Sequence, residues 1–363
     1  AAWRADLAAR MGYGYGAGGG ASNCAAYGST AGLVVRDTVI SGNYAWYGGG
    51  IGSIGYHGGA TELQVRDCII SANQAFAGAG VANAASGAPQ FLYSLGLLET
   101  SAALPSGGKA IDQVLTQREG DGRGLWLEGI TIPRRRDSGP VLLERPFRRP
   151  ALSLFDAENA EESITADAAG SQVQQLLQNE WGLTRATATI ESSTISGNGL
   201  SLLGGGIANL AAYGEGGLTI SRTTVSENYA FAGGGVYNRG VLSGTAGLTI
   251  ADSTMSHNYG WIGGGVQNAG VACAFEELYA LGAGTVAITN STISGNEALA
   301  GGGLVNGLSI FFHHDEEQDS FDYGRSHVSL QHSTVSGNRA ALAGGLLNGW
   351  FSDPVSGDPL SAL

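Results

Sequence analysis

The sequence has almost no lysine. Of its 18 basic residues, 17 are arginine and Lys109 stands alone. Charged residues of every kind make up 13% of 363 positions, about half the usual fraction, and the net charge is −13. That balance excludes nucleic acid as a partner, because a phosphate backbone calls for a basic stripe. Cysteine is scarce too. Cys24, Cys68 and Cys273 are too few and too far apart for a disulfide framework, so three incidental free thiols are expected. Proline numbers only 8, which rules out collagen despite 61 glycines, and the glycines follow no three-residue period. No run of 18 apolar residues occurs, so no membrane-spanning helix is expected. The opening AAWRADLAAR does not read as a signal peptide, so an export signal would have been removed or never included.

What is present is repetition. The stretch NSTISGNEALAGGGLVNG, residues 290–307, recurs in altered form over most of the chain. Aligned on the Asn of S-x-N, seven copies fall at Asn43, Asn73, Asn198, Asn228, Asn258, Asn296 and Asn338, with spacings of 30, 125, 30, 30, 38 and 42. A second Asn closes GGG-[IVL]-x-N, usually ten residues later, at Asn83, Asn238, Asn268, Asn306 and Asn348. Asn209 arrives one residue late, the first copy has Ser53 there, and an eighth, worn copy (GYGYGAGGGASN) puts Tyr13 in the first Asn slot. Before each S-x-N lies an alternating, β-branched stretch such as GLTIADSTMS, which reads as strand.

Each unit holds about three short strands, of the LTI, STIS and GGGI types, with Asn and Gly marking the corners. Repeated in parallel, such units make a right-handed parallel β-helix, all-β, with three short strands per turn and turns about 4.8 Å apart. Asn tolerates the left-handed corner conformation, and its amide can ladder onto the same Asn one turn away. A β-propeller fits less well, since its blades need four longer antiparallel strands and no paired Asn and Gly motif.

The pattern STISGNxAxxGGGIxN resembles the repeats of bacterial secreted right-handed β-helix proteins. It is also similar in style to chlamydial polymorphic outer-membrane protein repeats, which pair F-x-x-N with G-G-A-[ILV]. Here the first motif is S-x-N and the second mostly GGG, so the likeness is one of repeat style. It covers residues 18–83 and 186–348, about two-thirds of the chain. The resemblance implies display outside the cell or in its envelope, adhesion or extracellular structure, and it brings no catalytic residues.

Residues 84–185 break the repeat, giving three parts: β-helix turns over 1–83, an insertion over 84–185, and further turns over 186–363. Within the insertion, GGKAIDQVLTQRE and GSQVQQLLQNEWG have helical spacing. Between them Arg134, Arg135, Arg136, Arg145, Arg148 and Arg149 form either a docking patch for an acidic partner or a solvated loop. Smaller insertions near 270–283 and 308–326 follow the same Gly-Asn corner, which places all three on one face.

Three sets of side chains are candidates for chemistry. Next to the first Asn file stand Tyr44, Tyr229 and Tyr259, then a small residue, then Trp46, Phe76, Phe231 and Trp261. With the small residue inside, these aromatics form an outer stripe for a neighbouring chain or a sugar; bent under a loop, they are core. The outward slot Asp37, Asp67, Ser192, Arg222, Asp252, Asn290 and His332 would supply Asp37, Asp67, Arg222 and Asp252 to a polysaccharide lyase or hydrolase. The loop with His313, His314, Asp315, Glu316, Glu317, Asp319 and Asp322 offers calcium or zinc ligands, though its spacing fits no dedicated loop, and a hydrated acidic loop is the plainer expectation. No cofactor or metal is expected. Neither end shows a clear cap, so a longer surface protein or end-to-end stacking is expected, although AAWRADLAARMG could form a capping helix. The favoured reading is a non-catalytic, extracellular or cell-surface structural or adhesive element, with other protein chains as partners and a glycan as a second candidate. The alternative is a polysaccharide-binding or polysaccharide-cleaving β-helix.

Overall fold

The computed structural model describes residues 17–86, 183–241, 243–275, 278–307 and 325–349, with side chains up to 271 and again from 282. Over these residues the chain is a parallel β-helix. Four sheets run its length, and every pairing between successive turns is parallel. Sheet 1 holds Ala21–Ala26, Ile51–Tyr56, Val81–Ser86, Ile207–Ala212, Val236–Val241, Val266–Phe275, Leu304–Asn306 and Leu346–Asn348. Sheet 2 runs from Thr30–Arg36 to Arg325–Gln331, sheet 3 from Val39–Ser41 to Thr334–Ser336, and sheet 4 from Tyr44–Tyr47 to Arg339–Leu342, each with seven strands. The LTI, STIS and GGGI strands read from the sequence are those of sheets 2, 3 and 1. Sheet 4 adds a further segment of three or four residues after the first Asn. Among the described residues one strand pairing is antiparallel, a hairpin of Val266–Phe275 with Leu278–Leu281.

Register explains the irregular spacings. Arg185–Glu191 pairs with Ala60–Arg66 on one side and Glu215–Ser221 on the other, so the long excursion after Ser86 skips no turn. Strand structure reaches Ser86 at one end of that break and begins at Arg185 at the other. The two smaller insertions also leave from sheet 1 and rejoin sheet 2, at Ala283 and Arg325, so all three open at one corner. The two helical stretches expected within 84–185 lie outside the described residues.

The late Asn209 has a local cause. In sheet 4, Gly199 bridges Gln74, yet Ser201 already pairs with Ala230. Leu200 is the extra residue, held at φ +53 in a bulge, and pairing is back in step by Leu203 opposite Ala232. The glycine triplet serves two needs. Gly48 has φ +64, and a Cβ on it would fall 2.0 Å from Ile51 O; a Cβ on Gly49 would fall 2.4 Å from Gln74 O of the next turn.

Inside, Ile51, Val81, Ile207, Val236, Val266 and Leu304 of sheet 1 face Ile70, Ile195, Val225, Met255 and Ile293 of sheet 3 in one continuous core. Each such side chain contributes roughly 1.5–3 kcal/mol on burial. Polar files run beside this column. In the first, each Asn Nδ2 from Asn43 to Asn296 donates to the Oδ1 of the next turn at 2.9–3.0 Å, ending at Asn338. From Asn73 onward the same amide also donates back to a carbonyl of the previous turn, such as Ile195 O for Asn228. The second file links Asn83, Asn209, Asn238, Asn268, Asn306 and Asn348 at 2.7–2.8 Å. It is interrupted at Ser53, where Asn23 donates to Ser53 Oγ while the buried Asn83 Oδ1 has no hydrogen bond. A third file is of hydroxyls: the backbone N–H groups of Ser193, Thr223, Ser253 and Ser291 each donate to a Ser or Thr of the next turn. Cys68 occupies this slot as a small buried residue, its N–H donating to Ser193 Oγ at 3.1 Å. Cys24 and Cys68 are free thiols.

Candidate interaction surface

The slot that offered catalytic carboxylates is a backbone corner. Asp37, Asp67, Ser192, Arg222, Asp252, Asn290 and His332 all have φ between +48 and +54. Four of these seven are Asp or Asn, the residues that enter the left-handed region most readily after glycine, so the corner itself accounts for the polar character. The file does bring the candidates together, one per turn, each donating its backbone N–H to the turn above, as Arg222 N does to Ala251 O. Two of the candidates have side-chain partners: Arg222 pairs with Glu191, as does Arg66, and Asp252 Oδ1 accepts from Asn290 Nδ2. Among the described residues no group of three or more His, Cys, Asp or Glu side chains is placed to hold a metal ion. The loop with His313 to Glu317, and the six arginines from Arg134 to Arg149, lie outside the described residues.

The aromatic positions divide. Ala45, Ala75, Ala230 and Gly260 face inward and are buried, so the residues on either side face outward. Tyr44, Tyr229, Tyr259 and Trp261 are 40–50% exposed. Trp46 and Phe76 are half-buried and pack on a second core, formed by Tyr47, Ala77, Leu203 and Ala232 of sheet 4 with Ala82, Ala84, Ala208, Leu210 and Tyr237 of sheet 1. Rings one turn apart stack on each other: Tyr229 on Tyr259 with centroids 5.1 Å apart and planes within 2°, and Phe231 on Trp261 at 5.1 Å and 22°. Trp46 and Phe76 are tilted by 44° at 5.4 Å. One face of each ring in the two stacked pairs is therefore spent within the stripe.

The chain matches no family model, no curated protein and no solved structure. Its surface is thus read on chemistry alone. Among the described residues no helix is long and apolar enough to cross a membrane.

Two features escaped the sequence reading. The outer face of sheet 1 is buried along with the inner one: Val81–Ser86, Ile207–Ala212 and Val236–Val241 are buried at every position, Arg239 included. The absent alternation in VANAAS and IANLAA was the available signal. The other is His57, at the corner from sheet 1 to sheet 2 with φ +44. It is buried, with Tyr27 stacked on it at 5.3 Å and Tyr56 edge-on at 4.2 Å. Burial pushes its imidazole down from 6.5 to about 4, so it is neutral at pH 7. The His57 backbone N–H donates to Ser86 O, and the Gly58 N–H donates to Thr184 Oγ1 at 2.7 Å, so this corner clasps both ends of the long excursion.

Proposed function

We propose that the chain is a non-catalytic structural or adhesive rod, displayed outside the cell or on its surface, that meets its partners through the outward faces of its sheets. One observation carries this reading. The polar side chains the sequence repeats most faithfully, the two Asn files, are buried and spent on joining one turn to the next. The variable polar slot is likewise a left-handed corner, whose residue types follow from backbone conformation. The low charge and near absence of lysine suit an extracellular or envelope setting, as does the likeness in repeat style to secreted and chlamydial surface proteins. Other protein chains are the favoured partners, because two stacked ring pairs on neighbouring turns offer an apolar strip to a second surface.

The test is a panel of acidic and neutral polysaccharides incubated with the purified chain, with products read by reducing-end assay and by absorbance of unsaturated ends. No turnover is expected, and Asp37→Ala, Asp67→Ala and Asp252→Ala should change nothing. Cleavage that disappears in those variants would establish the lyase or hydrolase rival. Association with a partner, or with further copies, should weaken when Trp46 and Trp261 are replaced by Ala.

A further inference from the structure

Sheet 4 is short of one side chain at its surface. Its outer file runs Tyr44, Gln74, Gly199, Tyr229, Tyr259, Glu297 and Arg339, one residue per turn. The parallel Tyr229 and Tyr259 rings stack along the rod, one ring to each turn. At Gly199 the turn contributes no ring and no side chain. Gln74 and Tyr229 are therefore separated by two inter-strand steps, about 9.6 Å, with one ring's thickness missing between them.

The fold does not require this gap. Gly199 is not among the glycines with positive φ, and a Cβ built on it would meet Tyr229 Cβ at 3.6 Å, an ordinary contact. Gly205, six residues on, contrasts with it: a Cβ there would lie 2.5 Å from Gly234 O. The adjoining Leu200 is the bulged residue and is 48% exposed.

We infer that the gap at Gly199 is a binding slot for one pyranose ring of a neutral glycan. The C–H face of a sugar would lie on the one face of Tyr229 that no ring of the described residues covers, continuing the stack. The exposed Gln74 amide both donates and accepts, as sugar hydroxyls require, and Ser71, Ser196 and Ser226 end the adjoining strands of sheet 3. No charged residue stands in this file between Tyr44 and Tyr259, and a net charge of −13 disfavours an anionic ligand. The slot rests on the reading of the chain as a displayed element.

The experiment titrates cellohexaose, xylohexaose and N-acetylchitohexaose, each alone, into the full chain by calorimetry and saturation-transfer NMR. At least one should bind. Gly199→Phe fills the gap and should weaken binding about tenfold or more while the urea midpoint holds or rises. Should that variant fail to fold, Tyr229→Leu, which keeps bulk and loses the ring, is expected to show the same loss. Equal binding in either folded variant, or no binding of any of the three sugars, overturns the slot. Self-association that Gly199→Phe abolishes without sugar would also overturn it, assigning the gap to a ring from a second copy. The same incubations separate the two readings. A cleaved sugar defeats the non-catalytic reading and leaves the slot, whereas intact, unbound sugar defeats the slot alone.

Discussion

Sheets 1 and 4 meet at the glycine corner and are built on opposite rules. Sheet 1 is buried on both faces through much of its length, whereas sheet 4 buries its inner face, Tyr47 and Leu203 included, and leaves tyrosines and a tryptophan of its outer face in water. The three excursions leave from sheet 1, and the exposed aromatics among the described residues, Tyr27 apart, stand on sheet 4. The difference teaches where each kind of evidence is to be sought. Polar groups on the sheet 1 side answer to stability, while Tyr44, Tyr229, Tyr259 and Trp261 outside sheet 4 are open to solvent.

The largest effect that would test this division lies at the corner from sheet 3 to sheet 4. Asn228 accepts from the backbone N–H and Nδ2 of Asn198, donates to Asn258 Oδ1, and donates to Ile195 O. Asn228→Leu would leave buried donors and a buried carbonyl unpaired, at roughly 1–3 kcal/mol each, so a loss of about 3 kcal/mol or more is expected in urea unfolding. The same change at Asn338, half-buried in the last described turn, should cost about 1 kcal/mol. Equal losses at the two sites would show that the file does not act as a relay between turns.

A smaller and pH-dependent effect is expected on the sheet 1 side. In the unfolded chain the His57 imidazole protonates near 6.5, but in the folded chain only near 4. Between those values unfolding takes up a proton, so stability is complete above about 6.5, falls as pH drops toward 4, and levels off below. The loss from this one group amounts to about 3 kcal/mol at most. His57→Asn retains a residue suited to φ +44 and should flatten the fall, as followed by urea midpoints from pH 7.5 to 4. Because His57 and Gly58 hold Ser86 and Thr184, the acid-induced loosening should appear first at those two residues in hydrogen exchange. An unchanged pH slope in the variant would remove His57 from the account.

Much of this was legible beforehand, and the reasons are local. Asn and Gly at fixed offsets mark corners, and β-branched alternation marks strands, so the turns, the Asn files and the role of Cys68 could be read directly. The shared corner of the three insertions was legible too, because each follows the same Gly-Asn phrase. The chemistry of the slot from Asp37 to His332 was not, because a left-handed corner and an active-site file both favour Asp and Asn. Nor could sequence predict that Tyr229 and Tyr259 would turn their faces to each other, since ring orientation depends on what occupies the next turn. The double burial of sheet 1 was not read beforehand, although the missing alternation in VANAAS and IANLAA carried it.

The smallest effect concerns the one break in the sheet 1 file, and it runs toward greater stability. Ser53 is fully buried between Asn23 and Asn83, and its side chain is too short to do what an amide does in the neighbouring turns. Asn83 Oδ1 is left without a hydrogen bond as a result. Ser53→Asn would restore a donor there and still accept from Asn23 Nδ2, continuing the 2.7–2.8 Å spacing seen from Asn83 to Asn348. One net hydrogen bond in a buried file is worth about 1 kcal/mol, so a rise of that size in unfolding free energy is expected, with an unchanged urea slope. The new side chain must fit beside Ile54 and Gly52 without moving the strand. A fall in stability would therefore mean that the first turns are packed more tightly than the later ones, and that Ser53 relieves this at the cost of the ladder.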